Sequence, residues 1–166
     1  MPIKPHPLIF MVKPPLDVAQ AIDDLRKELG APTRYSVDRL HITLLLVGNT
    51  ANRNVDDIAG MIKLASAVAS KAFRVSFDMV GGQVLKGSDV MRGAVGFQKR
   101  LAEALSPYAI ASRSAFRPHI SLHYDDEPQF NRVIDAISWR VDEFLLVESV
   151  QEERRHGTLA RFPLIA

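Results

Sequence analysis

Residues 39–48 read RLHITLLLVG, and residues 116–124 read FRPHISLHY. Each segment carries a histidine, one spacer and a hydroxyl residue within an apolar run that is typical of a buried strand. Because alternate residues of a strand point to the same face, His41 and Thr43 should share one face, and so should His119 and Ser121. The two histidines are separated by close to half of the 166-residue chain. This spacing predicts a duplicated unit in which one histidine of each copy faces the other across a cleft.

A third His-x-Ser/Thr match begins at His156. It follows the charged run 152–155 and contains Gly157, so we predict a hairpin tip there and exclude His156 from the site. Short motifs of this kind also arise by chance. A lone strand histidine is most often hydrogen-bonded to its neighbours without further role, whereas a matched pair, one in each half, favours catalysis.

The composition is that of an ordinary globular protein, with 47% hydrophobic and 24% charged residues. We expect one domain over residues 1–166, made of two pseudo-repeated lobes, and a monomer. The chain has no cysteine, which excludes thiolate catalysis and fits a reducing compartment. No apolar run approaches the roughly 20 residues that span a bilayer, and the first residues lack a signal-peptide core. We therefore predict a cytoplasmic protein with no membrane partner.

The predicted elements mix strands with helices, without a long βαβ alternation or a glycine-rich phosphate loop. Strands are predicted at 8–13, 33–37, 40–47, 73–80, 83–85, 90–95, 119–124, 139–150 and 158–165, and helices from about 16–29, 55–70, 97–105 and 131–137. This pattern predicts an α+β fold with mostly antiparallel sheets.

Beyond the two histidine motifs, further features accompany them along nearly the whole chain. They are the N-terminal strand ending in proline (8–15), Gly48 after the first motif strand, Arg117-Pro118 before the second histidine, and Glu148-Ser149 followed by Phe162-Pro163-Leu164. In these features the chain resembles the two-histidine phosphoesterase superfamily, and within it the LigT-like family of 2′-5′ RNA ligases and RNA 2′,3′-cyclic phosphodiesterases. The resemblance implies a bilobal fold around a central cleft.

The motif residues suit the opening of a cyclic phosphodiester. An imidazole titrates near pH ~6.5, so two histidines can deprotonate water and protonate the leaving oxygen at neutral pH. The hydroxyls of Thr43 and Ser121 can donate to phosphate oxygens from the same strand faces. The net charge of +2 is compatible with an anionic substrate but too small to indicate extensive duplex binding.

The resemblance implies an enzyme that opens RNA or nucleotide 2′,3′-cyclic phosphates to 2′-phosphomonoesters, with weak 2′-5′ RNA ligation as a further activity. It also implies that His41 is the general acid for the 3′-oxygen and His119 the base for water, with RNA ends or small cyclic nucleotides as substrates. Alternatives are a phosphodiesterase for ADP-ribose cyclic phosphate or 2′-5′ oligonucleotides, and a non-catalytic nucleotide-binding module.

We expect neither a metal nor another cofactor. Acidic residues occur as pairs and a triplet at 23–24, 56–57 and 125–127, positions typical of helix ends and turns on a solvated surface. Serine and threonine are not usual transition-metal ligands, so a metal bound by His41 and His119 would leave their companion hydroxyls unexplained.

One position departs from the family pattern. Many LigT-like members carry an arginine five residues after the second histidine, where this chain has Tyr124. Strand parity places His123 and Arg117 on the face of His119, so either can replace that charge as a phosphate-binding residue. For His123 the alternative is a position at the rim of the site, facing water. Phe10 on the first strand is a candidate platform for stacking a base, with a core position as the alternative.

Overall fold

The computed structural model describes residues 4–112 and 114–166. It contains strands, helices and one short 3₁₀ helix in the following order: β1 Pro7–Val12, α1 Leu16–Leu29, the 3₁₀ helix Val37–Arg39, β2 Ile42–Asn49, α2 Val55–Ser66, β3 Phe73–Gly82, β4 Val84–Lys86, α3 Arg92–Ala104, β5 His119–Ser121, β6 Phe130–Val141, β7 Glu143–Val150 and β8 Arg155–Pro163.

The eight strands form one sheet in the order β6-β3-β4-β5-β2-β1-β7-β8, and every pair of neighbouring strands is antiparallel. The two motif strands, β2 and β5, are neighbours at its centre and are joined through the single register pair Ile42–Ile120. Four strands therefore lie on each side of this junction. The arrangement confirms the predicted α+β class with antiparallel pairing.

The helices pack on one face of the sheet. Ile22 of α1, Met61 of α2 and Phe97 of α3 are buried in one cluster with Ile42 and Ile120 of the motif strands. Burial of such side chains is the main stabilising term of the fold, at about 1.5–3 kcal/mol each. The opposite face of β1 and β7 carries a smaller apolar cluster of Met11, Leu145 and Val147. The sheet thus has a helix-covered core face and a second face that carries a smaller buried cluster at β1 and β7.

Local signals explain several helix boundaries. Gly30, predicted as the end of α1, takes φ +73° at its C-cap, a left-handed conformation that suits glycine. At the start of α2, the Asn54 side chain accepts from the Asp57 backbone N–H while the Asp57 carboxylate accepts from the Asn54 N–H. This capping box stabilises the helix directly after the first motif strand. No helix in the described ranges has the length and apolar content needed to cross a membrane.

Four predicted elements are wrong. The single strand expected at 139–150 is divided into the end of β6 and the whole of β7. Residues 90–95 were expected to be extended, but α3 begins at Arg92, because Ala94, Phe97 and Leu101 recur at helical spacing and bury that face. The predicted helix 131–137 is part of β6, which pairs with β3 over most of its length, so a long-range ladder overrides local propensity. No strand forms at 33–37, where the chain instead leads into the 3₁₀ helix.

Candidate active site

The sheet register places all four motif side chains on one face. Ile42 and Ile120 pair directly across β2 and β5, and both are buried in the core, at 2% and 0% exposure. The residues that flank each isoleucine must point the other way, toward the face without helices. His41 and Thr43 therefore lie beside His119 and Ser121, on adjacent strands at the junction of the two halves.

The two imidazoles are held in the same way. Nδ1 of His41 lies 2.6 Å from the carbonyl oxygen of Arg39, and Nδ1 of His119 lies 2.8 Å from the carbonyl oxygen of Arg117. A carbonyl oxygen can only accept, so Nδ1 is the donor in both rings. This bond fixes the ring orientation and makes Nε2 of each histidine the atom that can accept or release a proton. Both contacts arise from the same local pattern, Arg-x-His-Ile, in the two halves.

A hydroxyl accompanies the first histidine. Thr43 Oγ1 lies 3.1 Å from His41 Nε2 and donates to it when the ring is neutral. Thr43 and His119 are exposed, whereas Ser121 and His41 are half-buried. The face thus presents two Nε2 atoms and two hydroxyls to solvent over two strands, which is the set of groups that an anionic phosphate requires.

Electrostatics separate His41 from an ordinary surface histidine. Burial lowers its pKa, and the hydrogen bond to the Arg39 carbonyl oxygen partly offsets this, while the charges of Lys13, Arg39 and His119 lower it further. The free protein therefore presents His41 as a neutral imidazole at pH 7. A phosphate anion beside the ring would favour its protonated form.

Two basic residues that the sequence analysis missed lie beside His41. Val12 pairs with Ile42, so Lys13, the next residue after β1, stands across from His41. Lys13 Nζ donates to the Asp38 carbonyl oxygen at 2.6 Å. Arg39, the last residue of the 3₁₀ helix, is half-buried. A correct register between the first strand and the first motif would have revealed Lys13.

The predicted hairpin tip at His156 is wrong. The turn occupies residues 151–154, and His156 belongs to β8, where it pairs with Ser149. Its ring stands edge-on to that of His41, with centroids 5.0 Å apart. The turn was predicted too close to the C-terminus because glycine is typical of turns, whereas Gly157 is a residue of β8.

The predicted phosphate contact by His123 is contradicted. Its side chain is 1% exposed, Nε2 donates to the Pro128 carbonyl oxygen at 2.8 Å, and the ring stands edge-on to Phe130. The parity argument fails because β5 ends at Ser121, two residues earlier. His123 therefore supports the turn that follows β5. Arg117 is exposed beside His119, and its contact with phosphate stays a prediction.

Phe10 is a core residue and cannot stack on a base. Its side chain is 0% exposed, and its ring packs against Phe144 and Phe162 at centroid distances of 6.2 and 6.0 Å. Tyr124, which stands where many LigT-like proteins carry arginine, is half exposed and packs edge-on against Tyr35 at 5.2 Å.

The acidic pairs have structural partners. Asp23 accepts from the guanidinium of Arg26 at 2.6 Å, Asp57 caps α2, and Asp125 accepts from Arg34 and Tyr35. Among the described residues, no group of three or more His, Asp or Glu side chains is placed to hold a metal ion. Asp57 and Asp125 are thus helix-end and loop residues, as expected, whereas the expectation is wrong for Asp23, which is buried within α1 beside Arg26.

Comparisons with known proteins agree with this geometry. The model of the 2′-5′ RNA ligase superfamily matches residues 14–153. Crystal structures of E. coli LigT complexed with 3′-AMP and with NADP+ superpose with TM-scores of 0.81 and 0.82, at 23% and 22% identity. They cover 98% and 99% of this chain and 100% of each LigT chain. At this identity the likeness concerns the fold.

TT0787 of Thermus thermophilus is also similar, with a TM-score of 0.78 and 20% identity over 95% of this chain and 97% of that one. No curated protein matches the chain in sequence. The family match spans both histidine motifs and most of the chain, and the fold is that of LigT. The chain therefore belongs to the 2′-5′ RNA ligase superfamily and has the fold of LigT.

Proposed function

We propose that the protein is a metal-independent cyclic phosphodiesterase that opens 2′,3′-cyclic phosphates of RNA ends or nucleotides to 2′-phosphomonoesters. The observation that carries this proposal is the matched pair of imidazoles on adjacent strands. Each donates through Nδ1 to the carbonyl oxygen two residues before it, and each precedes a hydroxyl residue on the same face. Such a pair can supply one base and one acid to a single phosphorus atom.

The proposed reaction needs two proton transfers. Nε2 of His119 takes a proton from water as the water oxygen bonds to phosphorus, and the bond from phosphorus to the 3′-oxygen breaks. The 3′-oxygen receives a proton from Nε2 of His41, which leaves a 2′-phosphomonoester and a free 3′-hydroxyl. His41 is neutral in the free protein, so it must gain this proton when the anionic phosphate binds beside it.

The remaining groups stabilise charge on phosphorus. Thr43 and Ser121 flank the two histidines on the same face and can donate to the non-bridging oxygens. Hydrogen bonds to a charged group contribute about 1.5–3 kcal/mol each. Because the ring phosphate already holds its leaving oxygen in place, positioning and electrostatics can supply much of the rate.

The same geometry is consistent with 2′-5′ RNA ligation. If a 5′-hydroxyl takes the place of water, His119 removes its proton and His41 again protonates the 3′-oxygen. The product is then a 2′-5′ phosphodiester. The name of the superfamily supports this second use of the site. The absence of cysteine fits a reducing compartment, and we propose that the protein acts in the cytoplasm.

The direct test is incubation of the purified protein with adenosine 2′,3′-cyclic phosphate in excess EDTA, followed by identification of the product. We expect 2′-AMP, with at least ~100-fold slower turnover after His41→Ala or His119→Ala. ADP-ribose cyclic phosphate and a 2′-5′ dinucleotide are the comparison substrates.

Formation of 3′-AMP would reverse the assignment of the leaving oxygen. Binding of the nucleotides without turnover of any of them would instead indicate a nucleotide-binding module. Activity that requires added divalent metal would contradict the two-histidine mechanism.

A further inference from the structure

Lys13 is a partly buried cation on the far side of His41 from His119. His119, His41 and Lys13 lie on or next to three adjacent strands, in the sheet order β5-β2-β1. Their register follows because Val12 pairs with Ile42, and Ile42 pairs with Ile120. Lys13 directly follows β1 across from His41, and its charge lowers the pKa of both His41 and His156, so it lies at the site. A phosphate held between the two histidines would therefore leave Lys13 one strand beyond it.

Arg39 adds a second positive charge at the same place. Its guanidinium is close enough to lower the pKa of both His41 and His156, and its Nε atom is buried without a hydrogen-bond partner among the described residues. The nearby Asp38 carboxylate accepts from the Ser36 hydroxyl. Lys13 donates to the backbone carbonyl oxygen of Asp38, and its charge also lowers the pKa of the Asp38 carboxyl.

Neither Lys13 nor Arg39 forms an ion pair within 4.0 Å in the described part of the chain. The pairs that do form are those of His6, Arg26, Lys27, Arg34, Arg132, Arg140, Arg155 and Arg161. Arg26, at 1% exposure, shows the usual solution, because Asp23 neutralises it at 2.6 Å. Cations withdrawn from water without a carboxylate lower stability. The Asp38 carboxylate acts on Lys13 only through space, raising the pKa that burial lowers, and Arg39 contacts no carboxylate in the described part of the chain. An anion bound beside the two side chains would supply the contact that they lack.

We propose that Lys13 and Arg39 form a second anion subsite, on the β1 side of His41, for the phosphate on the 5′-oxygen of the nucleotide whose cyclic phosphate is opened. This proposal rests on the proposed function for the identity of the nucleotide. Its consequence is a preference for substrates that carry a 5′-phosphate over nucleosides that carry only the cyclic phosphate. Such a 5′-phosphate is either a terminal monoester or the diester that links the next nucleotide of an RNA chain.

A binding experiment tests the subsite without relying on turnover. Calorimetric titration would compare adenosine 2′-monophosphate with adenosine 2′,5′-bisphosphate on the wild-type protein and on Lys13→Met and Arg39→Met. We expect the bisphosphate to bind at least ~10-fold more tightly to the wild type, which corresponds to about 1.4 kcal/mol. The ratio should fall below about threefold in each variant.

Lys63→Met is the matched control, because Lys63 is exposed on α2, on the helix-covered side of the sheet, and its loss should leave the ratio unchanged. A dinucleotide that ends in a 2′-phosphate distinguishes the two sources. If the dinucleotide exceeds the monophosphate in affinity by as much as the bisphosphate does, the subsite accepts the internucleotide diester. If only the bisphosphate binds more tightly than the monophosphate, the subsite accepts the terminal monoester.

Equal affinity of the wild type for the mono- and bisphosphate would overturn the proposal, and this result does not depend on how any variant folds. So would variants that weaken both ligands by the same factor, since Lys13 and Arg39 would then hold the 2′-phosphate itself. If the wild type shows the tenfold ratio of affinities but does not open the cyclic phosphate, the subsite is supported and the proposed function is contradicted.

Discussion

The imidazole of His156 lies edge-on to that of His41, with ring centroids 5.0 Å apart and planes at 79°. Burial, followed by the charge of Lys13, lowers the pKa of His156 to about 3, so this ring is neutral at any pH near 7. Its Nδ1 is buried and has no partner among the described residues. His156 therefore acts on His41 as an aromatic packing partner, and it helps to fix the ring that we propose as the general acid.

Replacement of His156 tests this packing role. Aromatic pairs contribute about 0.5–1.5 kcal/mol beyond the area that they bury, which corresponds to about 2- to 12-fold in rate. We expect His156→Ala to lower kcat on adenosine 2′,3′-cyclic phosphate within that range, and His156→Phe, which keeps an edge-on ring, to stay within about twofold of wild type. If both variants lose activity equally, the imidazole nitrogens of His156 matter and the packing explanation is wrong.

The same residue should make stability depend on pH. A folded-state pKa of about 3 lies below the unfolded value near 6.5, so the unfolded chain binds the proton first as the pH falls. The contribution of the neutral His156 to the free energy of unfolding is present above pH ~6.5 and is lost progressively between pH ~6.5 and ~3. We expect urea unfolding at pH 7.5 and pH 5 to show a smaller loss of stability for His156→Phe than for wild type. An equal loss in the two proteins would show that His156 is accessible to protons when folded.

Residues of the site could be predicted from the sequence where local pattern decides their position. The two Arg-x-His-Ile segments specify a buried isoleucine and two outward neighbours, so parity predicts that His41 shares a face with Thr43 and His119 with Ser121. The pairing of β2 with β5 then brings the two sets to the same face of one sheet. The pattern fails one step further along, because β5 ends at Ser121 and the chain turns His123 into the interior. Strand parity holds only within the ladder.

The other features of the site depend on contacts between distant parts of the chain. Lys13 is near His41 because β1 pairs with β2, and His156 reaches it although it lies far along the chain, in β8. Phe10 alternates like a strand residue on either face, and only the helices show which face is the core. Long-range register of this kind cannot be obtained from a single sequence by periodicity.

Replacement of Arg117 should affect activity, whereas replacement of His123 should affect stability. Arg117 is exposed beside His119, and a guanidinium that holds phosphate contributes a charge-assisted bond of about 1.5–3 kcal/mol. We expect Arg117→Ala to lower kcat/KM by about 10- to 150-fold, and Arg117→Lys to recover part of that loss. His123→Ala should instead lower the free energy of unfolding, because it removes a buried ring bonded to Pro128. Arg117→Ala within threefold of wild type would show that Thr43, Ser121 and backbone amides suffice.

The assignment of acid and base can be tested with the leaving group. Protonation by His41 matters when the leaving group is the 3′-oxygen, a poor leaving group, and matters little when it is 4-nitrophenolate, which departs without a proton. We expect His41→Ala to lose at least ~100-fold on adenosine 2′,3′-cyclic phosphate and far less on a nucleoside 2′-(4-nitrophenyl) phosphate. His119→Ala should lose at least ~100-fold on both substrates, because the base is needed for water in either case. The measurement is the rate constant of each variant on each substrate. If the nitrophenyl ester instead rescues His119→Ala, the acid is His119 and the base is His41. Rescue of His41→Ala by the activated ester would show that the ring acts as the general acid. Because burial keeps His41 neutral in the free protein, that role requires it to gain its proton in the complex with the anionic phosphate.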